Sequence, residues 1–177
     1  MPRRKNIILT CTGSAVRMAA DVARELDIPV TEMITRTFAD GEIYHAFPRD
    51  IAGCDLVIIA NTQDDASHQE LIDLISGARY WNALSVNVVI PYLGYSTMER
   101  AKPDSGELPK GITRTRQIFR ARPDYVAFLD LHSESVMHAH TGEVRTRHLW
   151  TERVAAEKIR QMRLDSMGIG RHDRTHF

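Results

Sequence analysis

The chain has 177 residues, 43% of them hydrophobic and 26% charged, with 23 Lys and Arg balanced by 23 Asp and Glu. This length argues for one domain able to bury a core, and the composition excludes wholesale disorder. Zero net charge excludes a globally basic binder of nucleic acid or membrane surface, although it allows a local patch. The two cysteines, Cys11 and Cys54, make neither a metal-type spacing nor a disulfide framework, and read as small core residues in a reducing compartment. The basic start, Met1 to Lys5, leads into an apolar run too short for a signal-peptide core, and no stretch approaches a membrane span. A soluble cytoplasmic protein is expected.

Short apolar runs alternate with amphipathic stretches. Residues 6–10 read as a strand and Thr12-Gly13-Ser14 as the turn after it. Ser14 is the expected N-cap of a helix through Leu26, with Ala15, Ala19, Val22, Ala23 and Leu26 on one side. Residues 29–35 and 42–47 are strand-like around Asp40-Gly41, the second of them suited to a small antiparallel flap. The unbroken apolar run 56–60 predicts a strand buried on both faces. A helix over 67–82 follows, with Leu71, Leu74, Ile75, Ala78 and Trp81 at helical spacing. Residues 86–91 predict another buried strand, 111–122 a basic helix, 125–129 a further strand and 151–162 a last helix. The alternation predicts an α/β fold, a mostly parallel sheet flanked by helices. Residues 96–110 are polar, with two prolines and a glycine, and predict a long loop; 163–177 have no apolar period.

In open α/β sheets ligands bind beyond the carboxyl ends of the strands. Those ends carry Thr12-Gly13-Ser14, Asn61 to Asp65, Tyr92 to Tyr95 with the long loop, and Asp130-Leu131-His132. Gly13-Ser14 suits an anion or an ordinary helix cap. Asp130 and His132 suit a hydrated Mg²⁺, a phosphate, or a purely structural role. His132, His138 and His140 offer a transition-metal trio, without a nearby fourth ligand or an i, i+4 spacing. Asp64-Asp65 superficially resembles the acidic pair of phosphoribosyltransferases, but Ala66-Ser67-His68-Gln69 follows instead of a Thr-Gly-rich turn. Acidic residues at a helix N-terminus are the simpler account. Seven cations, Arg100, Lys102, Lys110, Arg114, Arg116, Arg120 and Arg122, face three anions, Glu99, Asp104 and Glu107. Such a patch fits a polyphosphate or nucleotide, a neighbouring subunit, or solvent alone. Sparse aromatics disfavour a single-strand nucleic-acid platform.

The segments Gly13-Ser14, Phe38-Ala39-Asp40-Gly41-Glu42-Ile43, Ile51 to Ile59, Ile90-Pro91-Tyr92-Leu93-Gly94-Tyr95 and Leu129-Asp130-Leu131-His132 stand in one order. Together they resemble the N-terminal half of the ribose-phosphate pyrophosphokinase family, over about residues 6 to 135. The resemblance implies a type I phosphoribosyltransferase-like (Rossmann-like) domain over 1–162 with an unmatched tail, 163–177. It implies transfer of the diphosphate of Mg-ATP to the 1-hydroxyl of ribose 5-phosphate, with ATP as substrate and Mg²⁺ as cofactor. Phe38, Asp40 and Glu42 look like the adenine loop, which a neighbouring subunit contributes in the family. An aromatic face stacks on the base while carboxylates accept from its exocyclic amine. His132 is similar to the family histidine at the reacting phosphates. Asp130 stands beside it for the metal, and Arg100 closes the ATP-gripping stretch. Such a transfer needs positioning and charge neutralisation more than covalent help.

Departures from the family pattern shape the expectation. Where the family has Ala-Arg-Gln-Asp-Arg/Lys after the Pro-Tyr-Leu-Gly-Tyr stretch, this chain has Ser96-Thr97-Met98-Glu99-Arg100. Thr97 thus replaces a guanidinium able to clamp phosphates at two points. The arginine just before the adenine-loop Phe reads Thr37, and the segment after His132 is unlike the family's. The acidic-pair loop for ribose 5-phosphate finds no counterpart. The expected protein is an ATP half-site with little synthetase activity alone. The alternative is a non-catalytic regulatory or assembly subunit. Either would form a homo-oligomer, or a hetero-oligomer with a complete homologue, and neither would bind nucleic acid or membrane.

Overall fold

In the computed structural model, which describes residues 6–166 with side chains as far as Arg163, eleven elements succeed one another. They are β1 (Ile7–Cys11), α1 (Val16–Leu26), β2 (Ile34–Thr37), β3 (Ile43–Ala46), β4 (Asp55–Ile59), α2 (Asp65–Tyr80), β5 (Ser85–Ile90), α3 (Lys110–Arg120), β6 (Tyr125–Leu129), β7 (Arg145–Leu149) and α4 (Glu152–Ser166). Short 3₁₀ turns occupy Gly13–Ala15 and Glu134–His138. Five strands form one all-parallel sheet in the order β1-β4-β5-β6-β7. The segment between β1 and β4 carries the expected flap, an antiparallel pair of β2 and β3 that matches Ile34 to Ala46 and Thr37 to Ile43.

Alternation along the strands divides the core between the two faces of the sheet. On one face Ile8, Leu56, Ile58, Val86, Val88, Ile90, Val126 and Phe128 meet Leu71, Leu74 and Ile75 of α2 and Ile118 and Phe119 of α3. Each fully buried Leu, Ile or Phe there contributes roughly 2 kcal/mol, so this face supplies most of the stability. On the other face Leu9 and Ile59 meet Ala15 and Ala19, with Cys11, Val57 and Val89 partly covered. The reason is coverage: among the described residues α1 is the one helix packed there, and its Leu26 points to solvent, against the sequence expectation. Trp81 is likewise exposed, because α2 ends at Tyr80.

Three further expectations are corrected. Ser14 does not cap α1: its hydroxyl donates to the Asn61 carbonyl at 2.8 Å, and the 3₁₀ turn delays the helix to Val16. β7 was not legible, because its residues Arg-Thr-Arg-His-Leu put arginines outward and only Thr146 and His148 half-inward. Charges on an edge strand keep it from pairing with other chains and erase the apolar signal. The last helix begins at Glu152 and runs to Ser166, beyond the expected end and into the segment read as tail; residues 167–177 lie outside the described ones. Every described side chain of α4 is exposed. Among the described residues no helix is long and apolar enough to cross a membrane.

Candidate functional site

The carboxyl edge of the sheet is built from three loops that bond to one another. Asn61, after β4, accepts Tyr92 N–H with its Oδ1 at 3.1 Å and donates its amide to the Ser14 carbonyl at 3.0 Å. Thr62 N–H donates to the Tyr92 carbonyl, and the buried Thr62 hydroxyl accepts Gly94 N–H, both at 3.0 Å. The β4 and β5 loops approach so closely that a Cβ on Gly94 would lie 1.8 Å from the Thr62 carbonyl oxygen. Tyr95 then turns back with φ +60°, a left-handed conformation rare for an aromatic residue.

Tyr95 anchors the entrance of the long loop. Its hydroxyl donates to Asp65 Oδ1 at 2.8 Å, and Arg114 Nη2 reaches the same oxygen at 2.7 Å. Lys110 Nζ and Arg114 Cζ lie 5.1 and 5.9 Å from the centre of the Tyr95 ring, within cation–π range. The bond from Tyr95 holds the Asp65 carboxyl below its ordinary range, aided by Arg114 and Lys110, and the same bond pushes the Tyr95 phenol up. Asp64 caps α2 by accepting Ser67 N–H at 2.8 Å, which lowers its own pKa. The acidic pair is therefore a helix start, as its sequence context indicated, and Asp65 in addition fastens the loop. Beneath this contact His68 is buried, with Nε2 3.0 Å from the Arg114 carbonyl, and its burial holds the imidazole below its ordinary pKa.

The turn after β6 holds the other expected residues. Asp130 has φ +42°, and its carboxylate accepts both the hydroxyl and the N–H of Thr151. The Thr151 hydroxyl, and then its N–H, keep Asp130 below the usual carboxylate range. His132 is exposed and lies close enough to Glu99 to act on its charge. The Glu99 carboxyl is lowered chiefly by its own backbone N–H, then by Arg100 and His132. Glu99 is itself buried, whereas Arg100 beside it is 84% exposed and reaches Glu99 only at 3.4 Å. The structure thus gathers Asp130, His132 and the Glu99-Arg100 segment on one side of the edge.

Phe38, Asp40 and Glu42 sit elsewhere, on the turn of the flap. Phe38 N–H donates to the Glu42 carbonyl at 2.8 Å, Asp40 Oδ1 accepts Glu42 N–H at 3.2 Å, and Gly41 supplies φ +91°. The Phe38 ring is 52% exposed and touches Tyr44 edge-on, with centroids 6.3 Å apart. Among the described residues no hydrogen bond, ion pair or ring contact joins this trio to Asp130, His132 or Arg100. Two other candidates dissolve. Gly13 N–H, read as an anion donor, is taken by Glu70 Oε1 at 2.9 Å. Among the described residues no three His, Cys, Asp or Glu side chains gather as a metal would need, so His132, His138 and His140 are not brought together; His140 packs on Phe119.

The sequence did not show the bonds of Thr62, the clasp of Tyr95, Asp65 and Arg114, or the parts played by His148 on β7 and Thr151 just beyond it. Tyr95 was visible as part of a motif, but the left-handed turn that aims it was not.

An all-parallel sheet with helices on its faces defines an open α/β class, in which ligands bind beyond the carboxyl edge of the strands. A family model for the N-terminal domain of ribose phosphate pyrophosphokinase matches residues 7–108. The ribose-phosphate pyrophosphokinase of Thermoplasma acidophilum is 30% identical over 156 residues, 86% of this chain and 52% of that protein. A span of that size takes in residues 38–42, 92–100 and 130–132 wherever it starts. The enzyme of that name from Thermoplasma volcanium is 29% identical over 124 residues, 70% of this chain and 43% of that one. Phosphoribosylpyrophosphate synthetase from Mycobacterium smegmatis shares the fold, with a TM-score of 0.78 over 91% of this chain and 54% of that chain, at 22% identity. The chain belongs to the ribose-phosphate pyrophosphokinase family through its N-terminal domain. It spans about half the length of the curated relatives it matches.

Proposed function

We propose that this domain supplies the Mg-ATP half-site for diphosphate transfer to ribose 5-phosphate, in the cytoplasm. One observation carries the reading: an aromatic ring and two carboxylates, Phe38, Asp40 and Glu42, stand exposed on a pinned turn inside the family-matched span. Phe38 is free to stack on a purine. Asp40 keeps one carboxylate oxygen, and Glu42 both, to accept from an exocyclic amine. Because this trio is remote in contact terms from Asp130 and His132, we assign each ATP to a flap and an edge from neighbouring copies, which makes the active form an oligomer.

At the phosphate end the donor set fits Mg²⁺ in part. Asp130 is an exposed carboxylate held ionised by Thr151, with lone pairs left over, and Mg²⁺ is commonly held by one or two carboxylates plus substrate phosphates. His132 is a nitrogen ligand and suits a phosphate oxygen better than a hard cation. The metal would neutralise charge on the transferring phosphates. His132 and Arg100 would donate to them, and the Tyr95 clasp keeps the Arg100 loop in reach. Thr97 and Met98, exposed where the family pattern has Arg and Gln, leave a weakened clamp. That pair favours a second reading, a regulatory or assembly subunit. Either way we expect the 177-residue polypeptide assayed alone to form little phosphoribosyl diphosphate, since proximity of both substrates carries much of such a rate.

Titration calorimetry with Mg-ATP tests the reading. Saturable binding, weakened about tenfold by Phe38→Ala through lost stacking and weakened again by His132→Ala, is the expected result. Absence of binding at millimolar ATP by the folded protein would refute the half-site and leave the regulatory reading.

A further inference from the structure

The turn that carries His132 is bent by an outside agent. His148, on the edge strand β7, has a side chain only 4% exposed. Leu131 N–H, at the centre of Asp130-Leu131-His132, donates to its Nε2 at 2.9 Å. A ring nitrogen that accepts carries no proton, so the neutral imidazole has its proton on Nδ1. There it is donated to Glu134 Oε1 at 2.8 Å. The ring face lies on Trp150, with centroids 3.8 Å apart. Both nitrogens and one face are thus committed.

The same strand end grips the turn twice more. Asp130 N–H donates to the Leu149 carbonyl at 3.0 Å, and Thr151 holds the Asp130 carboxylate. These bonds offset the left-handed φ of Asp130, which a residue with a side chain adopts only when its surroundings impose it. Of the three grips, the one from His148 fixes the Asp130–Leu131 peptide, one residue short of His132, and so the direction in which His132 leaves the turn. It also depends on a protonation pattern that Glu134 sets from the surface.

We propose that His148 is a positioning residue: as the Nδ1–H tautomer locked by Glu134, it holds the Leu131 amide and thereby aims His132 at the phosphate end of the site. The consequence for ATP rests on the proposed function; the tautomer and the amide bond do not.

The test combines three readouts on the full chain. Long-range proton–nitrogen NMR should show His148 wholly as the Nδ1–H form, and the Leu131 amide should exchange slowly. His148→Phe keeps the bulk and the stack on Trp150 but offers no acceptor, so Leu131 exchange should quicken at least about tenfold and Mg-ATP binding weaken about tenfold. His148→Gln, whose carbonyl oxygen can stand in for Nε2, should recover most of both. In a His132→Ala background His148→Phe should cost nothing further, since it acts through that ring. Glu134→Ala, a surface change that leaves the core alone, should mix the tautomers and loosen the Leu131 amide, and it decides the matter should His148→Phe fail to fold. An Nε2–H tautomer, an unchanged Leu131 exchange rate in His148→Phe or Glu134→Ala, or additive losses with His132→Ala would overturn the proposal. A wild-type chain that binds no Mg-ATP would refute the ATP reading alone, with the NMR and exchange results still deciding the role of His148.

Discussion

Gly94→Ala tests whether the close approach of the β4 and β5 loops shapes the site. The new Cβ would lie 1.8 Å from the Thr62 carbonyl oxygen, 2.8 Å from its carbon and 3.3 Å from Gln63 Cα, all backbone atoms. Restoring even 3.0 Å to that oxygen needs a shift of more than 1 Å in a buried loop. Such a shift strains or breaks the Gly94 to Thr62 hydroxyl bond and the Thr62 to Tyr92 bond, each worth about 1 kcal/mol. Overpacking adds roughly 1–3 kcal/mol, for a total of about 3–5 kcal/mol. At ~2–4 °C per kcal/mol for a chain of this size, Tm should fall by about 10 °C. Gly13→Ala is the control, because its Cβ meets nothing nearer than Glu70 Oε2 at 3.7 Å; it should stay within about 0.5 kcal/mol. Urea unfolding followed by circular dichroism measures both. A Gly94→Ala protein within about 1 kcal/mol of wild type, or a Gly13→Ala protein as damaged, would refute the reasoning.

Two further outcomes follow from named groups. His68 is buried and its pKa is depressed, so between the unfolded value of about 6.5 and the lower folded value the unfolded chain binds the extra proton. Its contribution is therefore complete above pH 6.5 and is lost as pH falls toward the folded value, with a slope of at most about 1.4 kcal/mol per pH unit. His68→Gln, which retains a donor for the Arg114 carbonyl, should lose less stability than wild type in urea melts between pH 7 and 5; equal losses would contradict this. Introducing Thr97→Arg with Met98→Gln should tighten Mg-ATP about tenfold, since bonds to charged groups are the stronger kind. Calorimetry showing no gain would mean that the long loop does not face the phosphates.

Most of the sheet was legible because its central strands are buried on both faces and read as unbroken apolar runs, such as residues 56–60. Residues 125–129 gave the bounds of β6, and 67–82 found α2 to within two residues. What failed lay at the margins of burial. β7 pairs through its backbone while exposing arginines, so no periodicity betrayed it. Ser14 looked like a cap because helix starts favour hydroxyls, yet its hydroxyl found the Asn61 carbonyl, 47 residues away, a nearer partner than its own helix. The site was legible as residue types, Phe38, Asp40, Glu42, Asp130 and His132, and not as geometry.

The order of motifs along the chain, and the burial pattern beneath it, determined the family and the parallel α/β architecture, because both are written in local spacing and in which residues avoid water. Only the tertiary structure decided that Glu70 takes the Gly13 amide, that Asp65 holds Tyr95, and that His148 holds the turn of His132. Those bonds join residues separated by 57, 30 and 17 positions. A polar group finds whichever partner the folded backbone brings within about 3 Å, and that distance is set by the packing of the whole sheet.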